Sequence, residues 1–275
     1  VTGVADVEGG SWIDAAGVRT HYHDAGEGSP VILLHGSGPG VSAWANWGGV
    51  LPSLAGRHRA IAIDLAGFGG SDKPLDVTYG VALWAGQVRE VLARLEIERA
   101  SFVGNSMGGR VALQIALDAP GTVDRLVLMG AAGLLARPTP ALSAIRDYAP
   151  SRQAMRELLA GCFVHDPSLV SEEVVETRFR ASEAPGAHEA YRRMFDAAGS
   201  ADDMLLSDAE LGSVTCPTLV VHGREDKVVP VANGLRMAEL IPGADLLVLG
   251  RCGHWTQVER ATAFTAAVLD FLSRS

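Results

Sequence analysis

The chain has 275 residues, 48% of them hydrophobic and 20% charged, which suits one large domain with a sizeable core and argues against disorder. A formal net charge of −9 with no basic run disfavours nucleic acid and anionic membranes as partners. No stretch approaches the roughly 20 consecutive apolar residues of a membrane span, so a soluble protein is expected.

The opening Val1 to Gly10 stretch carries no basic segment and no long apolar run, so a signal peptide is not expected. Cys162, Cys216 and Cys252 are an odd number at spacings that fit neither a zinc ribbon nor a disulfide framework. A reduced, cytoplasmic protein is the expectation. Arg19 to Asp24 alternates like a strand. His21 and His23 within it share one strand face, but no third ligand is evident, so an exposed pair is expected rather than a metal site. Val31 to Leu34, Arg59 to Ile63, Ser101 to Val103, Arg125 to Met129, Thr218 to Val221 and Leu246 to Leu249 are apolar runs without alternation. Such runs suit parallel strands buried on both faces. Helical stretches at Leu83 to Leu95, Met107 to Leu117 and Thr262 to Leu272 separate or follow them. This alternation predicts an α/β fold, a mostly parallel central sheet flanked by helices. From about Leu135 to Ser207 no strand is evident, and the stretch is rich in helix formers broken by prolines. It reads as a helical lid (135–207) inserted in a core made of 1–134 and 208–275.

The chemistry is carried by three distant segments. Gly104-Asn105-Ser106-Met107-Gly108-Gly109 follows the strand ending at Val103 and opens a helix. Gly-x-Ser-x-Gly alone is weak in a chain with 32 glycines. Between a strand and a helix it reads as a nucleophile elbow, a tight turn that presents Ser106 Oγ above the sheet. A serine hydroxyl needs a base at neutral pH. His254, just after the strand ending at Leu249, is the candidate. The acid belongs between them in chain order, and Asp226 fits, with Glu225 as its competitor. An oxyanion hole needs two backbone N–H donors. Met107, after the nucleophile, supplies one, and Ser37, in the glycine-rich loop His35 to Gly40, is chosen for the other. That loop lacks the Lys-Ser/Thr ending of a phosphate loop. Gly67 to Ser71 reads as a turn, and Cys252 as a small residue of the pocket wall. Arg178 and Arg180, by composition alone, read as solvated helix-face charges.

These motifs resemble the meta-cleavage-product hydrolases, a branch of the α/β-hydrolases that cleave carbon–carbon bonds in ring-fission products of aromatic compounds. The resemblance runs over nearly the whole chain. It is strongest from His35 to Trp47, from Gly104 to Gly109, from His222 to Pro230, and from Gly250 to Gln257. It is closest to the members acting on 2-hydroxymuconic semialdehyde and small 6-alkyl relatives. The resemblance implies that Asn105, Trp255 and Asn46 contact a dienoate, and that Arg178 binds its carboxylate and 2-oxo end, with Arg180 as rival. It implies cleavage of the C5–C6 bond of a 2-hydroxy-6-oxohexa-2,4-dienoate by Ser106, His254 and Asp226, with no cofactor and no metal. It also suggests a homo-oligomer. A carboxylesterase or lactonase on the same scaffold is the alternative, and a non-catalytic ligand-binding protein a remote one.

Overall fold

The computed structural model describes residues 9–196 and 200–274. The first eight residues of the stretch read for a signal peptide lie outside them. β1 (Ser11–Ala15) and β2 (Val18–Ala25) form a hairpin. β3 (Pro30–Leu34), α1 (Ala43–Trp47), α2 (Leu51–Ala55), β4 (Arg59–Ile63), α3 (Val81–Arg94), β5 (Ala100–Asn105), α4 (Met107–Asp118) and β6 (Val123–Met129) follow. The chain then leaves the sheet for α5 (Pro140–Arg146), α6 (Arg152–Leu158), α7 (Glu172–Ser182), α8 (Ala187–Asp196), α9 (Ser200–Asp203) and α10 (Asp208–Gly212). It returns as β7 (Thr218–Gly223), α11 (Val231–Leu240), β8 (Asp245–Leu249), α12 (Thr256–Glu259) and α13 (Ala261–Leu272).

The eight strands lie in the order β1-β2-β4-β3-β5-β6-β7-β8. β2 pairs antiparallel with β1 and β4, and every pair from β3 to β8 is parallel. The central strands β3, β5 and β7 are buried almost throughout, as runs without alternation require when helices cover both faces. Ile32, Leu34, Phe102, Leu126 and Leu128 face α3, α4 and the inserted helices. Val31, Leu33, Val103 and Val127 face the other way, toward α1, α2 and α13. Reversal of the strand order around β3 and β5 puts the carboxyl ends of the central strands beside a crevice, where open α/β sheets place their sites.

Two strand expectations need correction. Leu246 to Leu249 is not buried on both faces. β8 closes one edge of the sheet, and Leu246 and Val248 stay 39% and 36% exposed. Nor is the His21/His23 pair exposed. His21 and His23 are 1% and 6% exposed, because α1 packs Trp44 at 5.1 Å from the His23 ring and Gly10 lies tightly against His21. His21 Nδ1 lies 2.8 Å from the buried Asp64 carboxylate, which also accepts from the Ala43 and Gly70 amides. The pair therefore ties β2 to the start of α1. No helix among the described residues is long and apolar enough to cross a membrane.

Candidate active site

Ser106 sits between β5 and α4 with φ 52° and ψ −115°, a region that side-chain-bearing residues rarely occupy and that costs on the order of 1–3 kcal/mol. The turn is over-determined by hydrogen bonds. Ser106 N donates to Met129 O, and Ser106 O accepts from Gly109, Arg110 and Ala132 amides. The flanking glycines are required by contact. A Cβ on Gly104 would lie 2.5 Å from Gly108 O, and one on Gly108 would lie 2.3 Å from Leu34 O. Backbone cannot retreat as a side-chain tip can. Gly108→Ala should therefore lower stability by about 2–3 kcal/mol, read as a drop in the urea midpoint. An unchanged midpoint would show that the elbow is looser than this contact implies.

His254 follows β8, and Asp226 follows β7. Their side chains meet: His254 Nδ1 is 2.7 Å from Asp226 Oδ2. Asp226 Oδ1 accepts from the Val228 and Val229 amides at 2.8 and 2.9 Å, so the carboxylate is fixed by its own turn. Nδ1–H donation to Asp226 leaves the lone pair on His254 Nε2, the tautomer a base needs. Burial pushes the Asp226 carboxyl up, but His254 and His222 outweigh it and hold the group well below its ordinary range. His222 is a partner that the sequence reading missed. Its Nε2 lies 2.8 Å from Val229 O and 3.4 Å from Asp226 Oδ2. Glu225, the competitor, points elsewhere. It accepts from Cys252 N and pairs with Arg224. Cys252 itself is fully buried and lines neither of the two adjoining spaces at Ser106. It is a packed interior residue rather than a wall, and burial pushes its thiol up to about 12.

Ser106 and His254 line one cavity together with Ser37, Asn46, Asn105, Arg178 and Trp255. No Ser106–His254 hydrogen bond is formed among the described residues. Such bonds often tighten only with substrate present. The Gly36 backbone packs on the nucleophile, since a Cβ there would lie 3.3 Å from Ser106 Cβ. His35 braces this loop from behind. Its Nδ1 donates to Gly36 O and its Nε2 accepts from Leu65 N, and desolvation lowers its pKa, keeping it neutral. Ser37 and Met107 both border the space next to Ser106.

The inserted helices deliver the cation. Arg178, on α7, is 4% exposed. Its Nε donates to Pro39 O at 3.1 Å, and its guanidinium carbon lies 5.4 Å from the Trp255 ring centre. No carboxylate pairs with it among the described residues. Arg180, two residues on, points outward and pairs with Glu176, so the default of solvated charge fits Arg180 and fails for Arg178. Among the described residues Asn46 Nδ2 is buried without a partner. Asn105 Nδ2 donates to Met129 O at 3.2 Å. Phe163, which no sequence signal marked, lies on a π-helical turn after α6. Its carbonyl accepts from the His254 and Trp255 amides, and its ring stacks on Trp255 at 4.9 Å. Irregular helical turns of this kind recur at functional sites.

The space at Ser106 has two unlike parts. The polar part, with Arg178, Asn46 and Asn105, has a volume of about 20 Å3. The other part, about 120 Å3, is mostly apolar and is walled in part by Trp84, Met194 and Phe195. Ser37, Ser106, Leu142 and Val228 border both. A long, flat ligand with one anionic end would straddle the nucleophile.

Residues 29–261 match the family model for the α/β hydrolase fold. The 2-hydroxymuconate semialdehyde hydrolase of Pseudomonas sp. strain CF600 is 46% identical over 268 residues, 97% of this chain and 94% of that protein. The 2-hydroxy-6-oxo-2,4-heptadienoate hydrolase of Pseudomonas putida is 43% identical over 98% of each chain. A solved meta-cleavage product hydrolase from Pseudomonas fluorescens IP01, a serine-to-alanine variant complexed with acetates, superposes with a TM-score of 0.93 at 46% identity, covering 97% of this chain and 98% of its own. The chain belongs to the α/β-hydrolase family and, within it, to the meta-cleavage product hydrolases.

Proposed function

We propose that this enzyme hydrolyses the C5–C6 bond of 2-hydroxy-6-oxohexa-2,4-dienoates, acting on 2-hydroxymuconic semialdehyde or small 6-alkyl analogues. The observation that carries the reading is Arg178, a buried cation with no acid partner among the described residues, in the cavity of Ser106 and His254. An unpaired buried charge is costly, and a substrate carboxylate relieves that cost on binding. The planar guanidinium grips a carboxylate and the adjacent oxygen together, and the unpartnered Asn46 amide adds a donor.

With that end held, the C6 carbonyl lies at Ser106. Proton transfer to C5 gives a 2,6-diketo form able to accept the electron pair of the breaking bond. His254 takes the Ser106 proton, Oγ attacks C6, and the Ser37 and Met107 amides hold the oxyanion. The C5–C6 bond breaks, its electron pair passing through C4 and C3 to the C2 oxygen, which takes the proton from His254, giving 2-hydroxypenta-2,4-dienoate and an acyl-enzyme and leaving His254 neutral. Water, deprotonated by His254, attacks the acyl carbon and releases the carboxylic acid. In this reading 135–207 forms the lid over a core of 1–134 and 208–275. The polar part has room for about one water, so entry of a dienoate requires the inserted helices to give. The enzyme acts in the cytoplasm, as the three free cysteines suit. It acts as a homo-oligomer, for which the exposed apolar edge of β8 is a candidate contact.

Arg178→Met should raise KM for a 6-methyl dienoate by about 10–100-fold, as expected for loss of a charge-assisted bidentate contact. Arg178→Lys should recover part of it. Desolvation lowers the Arg178 pKa to about 10. The guanidinium is therefore charged at neutral pH. The esterase alternative predicts rapid turnover of aryl esters, no 2-hydroxypenta-2,4-dienoate, and a KM indifferent to Arg178. Among neutral C6 groups, hydrogen, methyl and isopropyl should outpace phenyl. A strong phenyl preference would refute that ranking.

A further inference from the structure

His254 stands in the irregular stretch between β8 (Asp245–Leu249) and α12 (Thr256–Glu259), so no strand ladder fixes its main chain. Its backbone is held from outside that stretch. The Phe163 carbonyl, in the inserted segment, accepts from the His254 and Trp255 amides at 2.9 and 3.1 Å. The preceding amide, Gly253 N, donates to Glu259 Oε1 at 2.5 Å. The other oxygen of that carboxylate, Oε2, accepts from His165 N and Asp166 N at 2.7 and 3.1 Å. One carboxylate thus joins the loop of the base to the inserted segment.

The two segments are pressed together at this point. A Cβ on Gly253 would lie 2.9 Å from both Phe163 O and His165 N. A carboxylate accepts on both oxygens and so satisfies amides on either side of it. A glutamine has one oxygen, and its NH2 group would face one of the two sets of donors. Glu225 meets the same loop differently. It takes only Cys252 N, a bond that the single oxygen of a glutamine can keep.

We propose that Glu259 is a positioning residue for the base, setting the aim of His254 Nε2 at Ser106 by locking the histidine loop onto residues 163–166. The proposal rests on the reading of His254 as the base. Asp226 fixes one ring atom, Nδ1. The direction of Nε2 also depends on where the main chain stands, and Glu259 and the Phe163 carbonyl set that. A misplacement of about 1 Å at a reacting group can cost about 100-fold in rate.

The test reads the serine–histidine pair in two ways. With diisopropyl fluorophosphate, Ser106 Oγ attacks phosphorus, His254 takes the proton and fluoride leaves. The adduct is followed by mass, and no carboxylate is involved. With a 6-methyl dienoate, release of 2-hydroxypenta-2,4-dienoate gives kcat and KM. Glu259→Gln, at a temperature where circular dichroism shows it folded, should lower both the labelling rate and kcat by about 10–100-fold. KM should stay within about threefold, because Arg178 and Asn46 are untouched. Glu259→Asp, with both acceptor oxygens one methylene shorter, should recover part of both rates. Glu210→Gln removes an exposed carboxylate that accepts from Ser207 N. It should lower Tm and leave both rates alone. Rates within about threefold of wild type in folded Glu259→Gln, a loss confined to KM, or an equal loss in Glu210→Gln overturns the proposal. If Glu259→Gln does not fold, Glu259→Asp decides: two lowered rates support the proposal and two wild-type rates overturn it. If wild-type Ser106 takes no label, the triad reading fails and takes this one with it. Labelling without dienoate cleavage sinks only the dienoate reading, and the labelling rates still decide the role of Glu259.

Discussion

Ser106→Ala should lower product release from a dienoate by about four to six orders of magnitude while leaving the protein folded. The size follows from the role. Without Oγ no acyl-enzyme forms, and only binding and the backbone oxyanion donors remain to help water. The fold should not suffer, because the elbow is held by backbone bonds at Met129, Gly109, Arg110 and Ala132. Alanine also carries the same Cβ at the same positive φ as serine. Ser106→Gly sharpens the argument. It removes the Cβ that makes φ 52° costly, so its Tm should exceed that of wild type although its activity is equally lost. Product must be measured directly, because ketonisation alone would bleach the coloured dienolate. Activity of Ser106→Ala within tenfold of wild type would remove Ser106 from the mechanism.

The legible parts of this protein were those encoded by short-range pattern. Apolar runs gave the parallel strands because helices on both faces bury nearly every side chain of β3, β5 and β7. The strand–Gly-x-Ser-x-Gly–helix sequence located the elbow because crowding at Gly104 and Gly108 leaves no room for a Cβ. β1 was missed because it is a half-solvated hairpin arm. Trp12 is 42% exposed, so its pattern lacks a clear buried stripe. β8 was read correctly as a strand and wrongly as buried, since hydrophobicity cannot say that a strand closes the sheet edge. The inserted helices hid more. Arg178 and Arg180 lie in the same short helix with the same chemistry, and only tertiary packing turns one toward Trp255 and the other toward Glu176. Resemblance favoured Arg178, but spacing alone could not. Phe163 and His222 were invisible for the same reason. Their partners lie far along the chain or, for His222, in a turn whose path the sequence does not show.

Asp226→Asn should lower kcat by about 10³–10⁴-fold with little change in KM. Asparagine has nearly the same shape, and its Oδ1 can still accept from the Val228 and Val229 amides that hold Asp226 Oδ1. That orientation turns the NH2 group toward His254. His254 Nδ1 must then accept instead of donate, and the ring proton moves to Nε2. An imidazole with Nε2 protonated cannot take the Ser106 proton, so the base is present but in the wrong tautomer. The imidazolium formed during attack also loses its anionic neighbour at 2.7 Å. Glu225→Gln is the control. Glu225 lies next in sequence but accepts from Cys252 N and pairs with Arg224, so its amide should cost under about threefold in kcat. If Glu225→Gln proved the damaging change and Asp226→Asn the mild one, the acid of the triad would be misassigned. Nitrogen-15 shifts of the His254 ring separate the tautomer argument from a packing defect. Wild type should show Nδ1 protonated and Nε2 bare, and Asp226→Asn the reverse.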